Sequence, residues 1–355
     1  MNSLRLPFRP LAVLLPPLLI TLIAATFSPR ATGQAIPSAD TPPAQEAPPP
    51  PPPDSQNNDA PTPQAQQPLI PVPPPPPFDV NLFQNRVPAP ALAFLSQFDG
   101  APSGTLYHDR QFRKLLNATV PNCMFHYGSD MPLTDALDKV LPGSSVPVQV
   151  RDNRYVLVSG ERGPYLGGRG FIWIDMRDGI VLGGFFFRPT NGEPTPTLAA
   201  FSRQLKTKDH ALAITQLPPA FQDDLIQWST QSGVAPITTR YFLTGNDKRI
   251  LLEHTEDYCA PGPDPNAVPP APDECAQMDA DAAEIDMNAA YYLEQVNYAT
   301  NATAWMINGD DQLAWIAIRD RTCIGPNPLP CRIRMTRERT RVIVTRPPVV
   351  HPPHS

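Results

Sequence analysis

Few side chains in this chain are spaced for chemistry. Cys123 and His126 form C-x-x-H, a separation at which a thiol and an imidazole can share a metal or act as nucleophile and base. No second close pair of ligands accompanies them, so a disulfide cysteine beside an unrelated histidine is the preferred reading. Glu253-His254-Thr255-Glu256-Asp257 gathers ligand-type side chains, but at a strand end a solvated cluster is the simpler expectation. Gly167-Gly168-Arg169-Gly170 is glycine-rich, yet a β-rich run follows it, whereas a phosphate-cradling loop opens a helix. His108-Asp109 has no partnering serine in a G-x-S-x-G elbow, and H-E-x-x-H is absent. These grounds assign no catalytic residue, no cofactor and no metal.

The more specific pattern lies near the C-terminus. Gln312, Trp315, Arg319, Asp320 and Cys323 read Q-x-x-W-x-x-x-R-D-x-x-C, and Cys331 with Arg339 continues as C-x7-R. Before them, Met278, Ala282, Ile285, Ala289, Tyr292, Leu293 and Val296 recur at helical spacing from Cys275 to about Ala299. This helix is acidic, with Asp273 and Glu274 where negative charge suits the dipole. Asn308-Gly309 is expected to break the chain, with Asp310 or Asp311 capping a second helix to about Thr322. A third, arginine-rich helix follows and ends at Pro347-Pro348. Trp315 is expected to fill the centre of the three helices. Arg319, one turn on, is expected to fork onto a carboxylate such as Asp286, and Arg339 to do the same from the third helix.

Together these residues resemble the LprI-type lysozyme-inhibitor family, a small helical, cysteine-bearing module of bacterial cell envelopes, over roughly residues 273–346. The resemblance implies a non-enzymatic binding module outside the cytoplasm, with host-type (c-type) lysozyme as its partner. Members commonly carry a further cysteine near the start of the module, and Cys259, across a proline stretch, is the candidate here.

The chain has 355 residues and five cysteines. In an oxidising compartment disulfides are the default state of such cysteines. Cys323–Cys331 is the first expectation, across a short Gly/Pro loop. Cys123–Cys259 would then close the preceding domain and leave Cys275 over, the rival being Cys275 paired with Cys323 or Cys331.

The elements that must position these residues fall into segments. Residues 1–33 read as an export signal: Arg5 and Arg9, an apolar run broken by Pro16-Pro17, then small residues before Gln34. Membrane attachment is expected only if that segment is retained as an anchor. Residues 34–79 form a proline-rich spacer, with 18 prolines between Ala35 and Phe78. Residues 80–259 read as an α+β domain built on an antiparallel sheet with short helices. Helices are expected within Ala91–Leu116, Pro132–Leu141, Pro194–Lys206 and Phe221–Gln231. Hairpins are expected around Arg151–Arg154, around Arg177-Asp178-Gly179, and between Ile237–Leu243 and Arg249–His254. Phe185-Phe186-Phe187 requires either two covered sheet faces or one exposed ring. A proline-dense linker, 260–272, leads to the all-α, disulfide-stapled module 273–346, and 347–355 reads as a disordered tail.

The formal net charge of −6 argues against nucleic acid as a partner. The expected function is that of an exported, periplasmic or secreted binding protein, non-catalytic, with lysozyme inhibition as the sharpest form. The alternative is a structural or adaptor protein that binds peptidoglycan or another envelope protein. A second alternative is an envelope hydrolase with its site in the α+β domain.

Overall fold

The computed structural model describes residues 78–161, 167–246, 248–260, 268, 270–298 and 301–346. The segment read as an export signal, most of the 34–79 and 260–272 stretches read as linkers, and the expected 347–355 tail lie outside them. Short 3-10 turns over residues 80–98 lead into helices α1 (Ser103–Tyr107) and α2 (Arg110–Thr119). A small hairpin, β1 (Met124–His126) and β2 (Asp130–Pro132), precedes α3 (Leu133–Val140). Then come β3 (Gln149–Arg151), β4 (Tyr155–Glu161), β5 (Arg169–Asp175), β6 (Ile180–Phe187), β7 (Thr197–Ser202) and β8 (Ala211–Ala213). Helix α4 (Pro219–Gln231) leads to β9 (Thr239–Thr244) and β10 (Arg249–Glu253). Three helices close the described chain: α5 (Pro272–Tyr298), α6 (Ala302–Thr322) and α7 (Leu329–Thr345).

Strands β3 to β10 make one sheet in the order β3-β4-β5-β6-β7-β9-β10-β8. Neighbours are antiparallel except β7–β9 and β10–β8, which are parallel. The α+β class is as expected, and the sheet is mixed because the crossover through α4 returns the chain beside β7 in the same direction. The turns follow local chemistry. Asp152 and Asn153 take positive φ between β3 and β4, as a tight hairpin turn requires. Gly179 (φ 68°) ends the β5–β6 turn, and there Arg154 forks onto Asp175 at 2.9 and 2.7 Å while reaching Asp178.

Both faces of the sheet are covered, which answers the triple phenylalanine. Phe185 and Phe187 point into a core with Phe112, Phe125, Leu137 and Ile172 under α1–α3, while Phe186 points into the opposite core with Trp173, Phe221 and Trp228 under α4. The buried indole N–H of Trp173 donates to Asp224 on α4 at 2.7 Å. Pro194–Lys206 is not the expected helix. Its Thr197–Ser202 portion is strand β7, buried along its whole length between β6 and β9. Leu198 and Ala200 serve one core and Ala199 and Phe201 the other, so period-2 burial outweighs local helix preference.

Helices α5 and α7 add to the face that carries α1–α3. Tyr241 of β9 and Leu251 of β10 pack with Met287, Ala289 and Ala290 of α5 and Ile343 of α7. Among the described residues no helix is long and apolar enough to cross a membrane.

The β5–β6 turn supplies a test. A Cβ built on Gly179 lies 2.0 Å from the carbonyl oxygen of Val87, whose N–H in turn donates to the Gly179 carbonyl at 2.9 Å. Gly179→Ala is expected to destabilise the fold by ~1–3 kcal/mol through overpacking and an unfavourable φ, measured by urea denaturation.

Candidate functional site

The motif residues converge where α5, α6 and α7 meet. Helix α6 starts at Asn301, whose side chain accepts the Ala304 N–H at 3.0 Å, and it runs unbroken through Asn308-Gly309. The expected break is absent because Asn308 turns inward and accepts from Arg346 at 3.3 Å, so Asp310 and Asp311 do not act as caps. Asn308, Gln312 and Arg319 are the buried residues of α6. Gln312 bridges the other two helices: its amide nitrogen donates to the Met287 sulfur of α5, and its oxygen accepts from Arg339 Nε of α7 at 3.0 Å. Arg339 also reaches Asp311 at 2.7 Å.

Arg319 donates to Glu284 at 2.6 Å, to Asp320 at 3.1 Å and to Thr336 at 3.4 Å, and Asp320 also accepts from Arg332 at 3.1 Å. The expected partner Asp286 is not used. Residues two positions apart on an α-helix differ by about 200°, so Asp286 faces the sheet while Glu284 faces α6. Trp315 is half-buried rather than central. Its ring meets two guanidinium groups, that of Arg319 at 5.1 Å and that of Arg339 at 5.7 Å. Cation–π contact and hydrogen bonds therefore hold α6 alongside the packing of Trp315 against the cluster of Met287 and Ile343.

Cys323 and Cys331 are joined, their Cα atoms 5.5 Å apart, and tie the end of α6 to the start of α7. The second bond is Cys259–Cys275, with Cα atoms 5.3 Å apart, in place of the expected Cys123–Cys259 with Cys275 left over. Cys123 packs against the core under α1–α3, whereas Cys259 leaves β10 on the way to the first turn of α5. The two disulfides fit an oxidising, extracytoplasmic compartment.

The other ligand-type residues are committed elsewhere. His254 is buried: its N–H donates to Asp286 at 2.8 Å and its Nδ1 lies 2.6 Å from the other oxygen of that carboxylate. Glu256 pairs with Arg240, a buried guanidinium that also donates to the Pro236 carbonyl at 2.9 Å. Burial acts to raise the Glu256 pKa, but the charge and hydrogen bond of Arg240 together with His254 outweigh it and hold the carboxyl below its ordinary value. Glu253 next to them is raised, first by burial and then by the charge of Asp286. His126 is taken by Asp130 at 2.8 Å and Thr190 at 2.9 Å. Asp109 caps α2 through the N–H groups of Gln111 and Phe112. Gly168 gives its space to the Tyr127 ring. Among the described residues no group of three or more His, Cys, Asp or Glu is placed to hold a metal ion.

What sequence reasoning missed is the outward side of α6. Trp305, Met306, Ile307, Leu313 and Ile318 are exposed, Leu313 at 67% and Trp305 at 53%. The available signal was the polar stripe: Asn308, Gln312 and Arg319 share one side of the helix, leaving apolar residues on the rest. No family model matches the chain, and no curated protein or solved structure is significantly similar to it.

Two outcomes follow from this geometry. Arg339→Met leaves Gln312 buried without its donor and removes one guanidinium from Trp315. A loss of ~1–3 kcal/mol is expected, with a red shift of tryptophan emission. The bond to Arg339, reinforced by that to Arg346, also holds the Asp311 carboxyl below its ordinary range despite partial burial. A carboxyl lowered in the folded state stabilises above its unfolded pKa and loses that contribution as pH falls through the folded value. The α6 contacts should therefore weaken from about pH 4 downward. Asp311→Asn should flatten that part of a stability-versus-pH profile.

Proposed function

We propose that the chain is an exported, non-catalytic binding protein of the bacterial envelope, and that the outward face of α6 is the surface it offers to a basic protein, lysozyme of the c-type being the candidate. The observation that carries the reading is the inverted helix: α6 buries amide and guanidinium groups and turns Trp305, Met306 and Leu313 to solvent. Several large apolar side chains exposed on one helix mark a candidate interaction surface. Charge supports a basic partner. Residues 273–346 hold 11 acids and 8 arginines, a net of −3. Most of the acids are spent internally, but Asp273, Glu274, Asp281 and Asp310 are exposed and make no ion pair among the described residues. Such a surface speeds encounter with a cationic protein.

The hydrolase alternative draws no support from His254, whose ring is held on Asp286 and sealed under α5. The test is a turbidity assay of lysozyme acting on bacterial cell walls with the full chain added. Lysis should slow, and Leu313→Asp or Met306→Asp should weaken the effect roughly tenfold or more, as for an interface anchor. Undiminished lysis with no lysozyme binding would overturn the inhibitor reading. Retention of the chain on purified cell walls in the same experiment would transfer support to the adaptor alternative.

A further inference from the structure

A second site lies at the opposite end of the helices from the Cys323–Cys331 bond. The last turns of α5 and α7 meet the β9–β10 turn and the loop before β7 around a cleft of about 450 Å³, within the ~300–1,000 Å³ usual for small-molecule sites. Its apolar wall comes from Leu293, Val296 and Val344, with Tyr292 and Tyr298 beside them.

The polar groups around this cleft are incompletely satisfied. Glu294 lines it and is 8% exposed, yet its Oε2 has no hydrogen-bond partner among the described residues. Its other oxygen has two long contacts, Arg346 at 3.3 Å and the Tyr298 hydroxyl at 3.4 Å. A buried carboxylate oxygen with no donor carries a desolvation cost that an incoming N–H group relieves. On the sheet side stand two cations. Lys248 uses its ammonium on the carbonyls of Lys208 and Asp209, at 3.2 and 3.1 Å, which leaves one of its three donors. Arg249 places one nitrogen on Glu193 at 2.7 Å and lies over the Tyr241 ring. The cleft thus has an acceptor on α5, donors on the β9–β10 side and an apolar wall between α5 and α7.

We propose that this cleft binds a small zwitterion of the amino-acid or short-peptide class, its ammonium on Glu294, its carboxylate on Lys248 and Arg249, and its apolar side chains against Leu293 and Val296. The tyrosines at the α5 end add aromatic faces that favour an ammonium group. The inference does not depend on the α6 face, which lies on a different surface of the same helices.

Calorimetric titration of the full chain tests it with four probes: leucine, leucyl-leucine, N-acetyl-leucyl-leucine and leucyl-leucine amide. Binding of leucine or leucyl-leucine is expected, and which of the two is tighter separates a free amino acid from a peptide as the ligand class. Acetylation, which removes the ammonium, should weaken binding at least roughly tenfold, the scale of one charge-assisted hydrogen bond. Glu294→Gln should do the same for leucyl-leucine. Lys248→Met should weaken leucyl-leucine but leave its amide unchanged. Val296→Trp, at an exposed rim position, should close the cleft to every probe while leaving the circular dichroism spectrum unchanged. The proposal is overturned if neither zwitterion binds at millimolar concentration, or if affinity is indifferent to acetylation and to Glu294→Gln.

Discussion

Asp286 sits near the middle of α5 and accepts two hydrogen bonds from one residue, the backbone N–H and the ring Nδ1 of His254. That residue is the first after β10, so the contact fixes the helix against the end of the sheet. The nearby 259–275 disulfide, its cysteines 16 positions apart, holds the first turn of the same helix. A carboxylate buried this deeply is tolerable only with donors in place. Everything beyond depends on α5 being held there. Helix α7 lies along it, with Arg337 on Asp279 and Arg346 on Glu294, and α6 crosses back over both.

The middle helix of the three is held differently from its neighbours. α5 and α7 pack through Met287, Ala290 and Ile343 in the ordinary way. α6 is attached mainly through Gln312, Arg319 and the cation–π contacts of Trp315, with a disulfide at its end. Polar attachment has a consequence that apolar packing would not have. Trp315 packs at the edge of the Met287–Ile343 cluster, but Trp305, Met306, Ile307, Leu313 and Ile318 are not consumed by the protein's own core and remain on the outside. Water-facing apolar surface is unfavourable for an isolated molecule, so its retention is the physical basis for reading α6 as a surface for a partner.

Much of the fold was legible in local pattern. The three hairpins lie where alternating apolar runs flank turn residues, and Asp178-Gly179 was a reliable marker because positive φ at that position suits glycine. The three C-terminal helices and the Cys323–Cys331 bond follow from helical spacing and a short loop. Thr197–Ser202 was misread because its helix-compatible residues are held in a strand by neighbours on both sides. The Cys259–Cys275 bond escaped because proximity across a proline stretch is a property of chain path, which spacing does not encode.

By itself the sequence determined the α+β class, the helix periodicity of the last seventy residues and the chemical identity of the motif, because these rest on side-chain type and short-range spacing. Tertiary structure alone decided what each motif residue touches. Whether Arg319 meets Asp286 or Glu284 depends on the side of α5 presented to α6, and that side is set by His254 on the sheet. Whether Trp315 is core or clamp depends on an arginine twenty-four positions away along the chain. Contacts of that kind depend on how whole elements pack, and no local pattern specifies them.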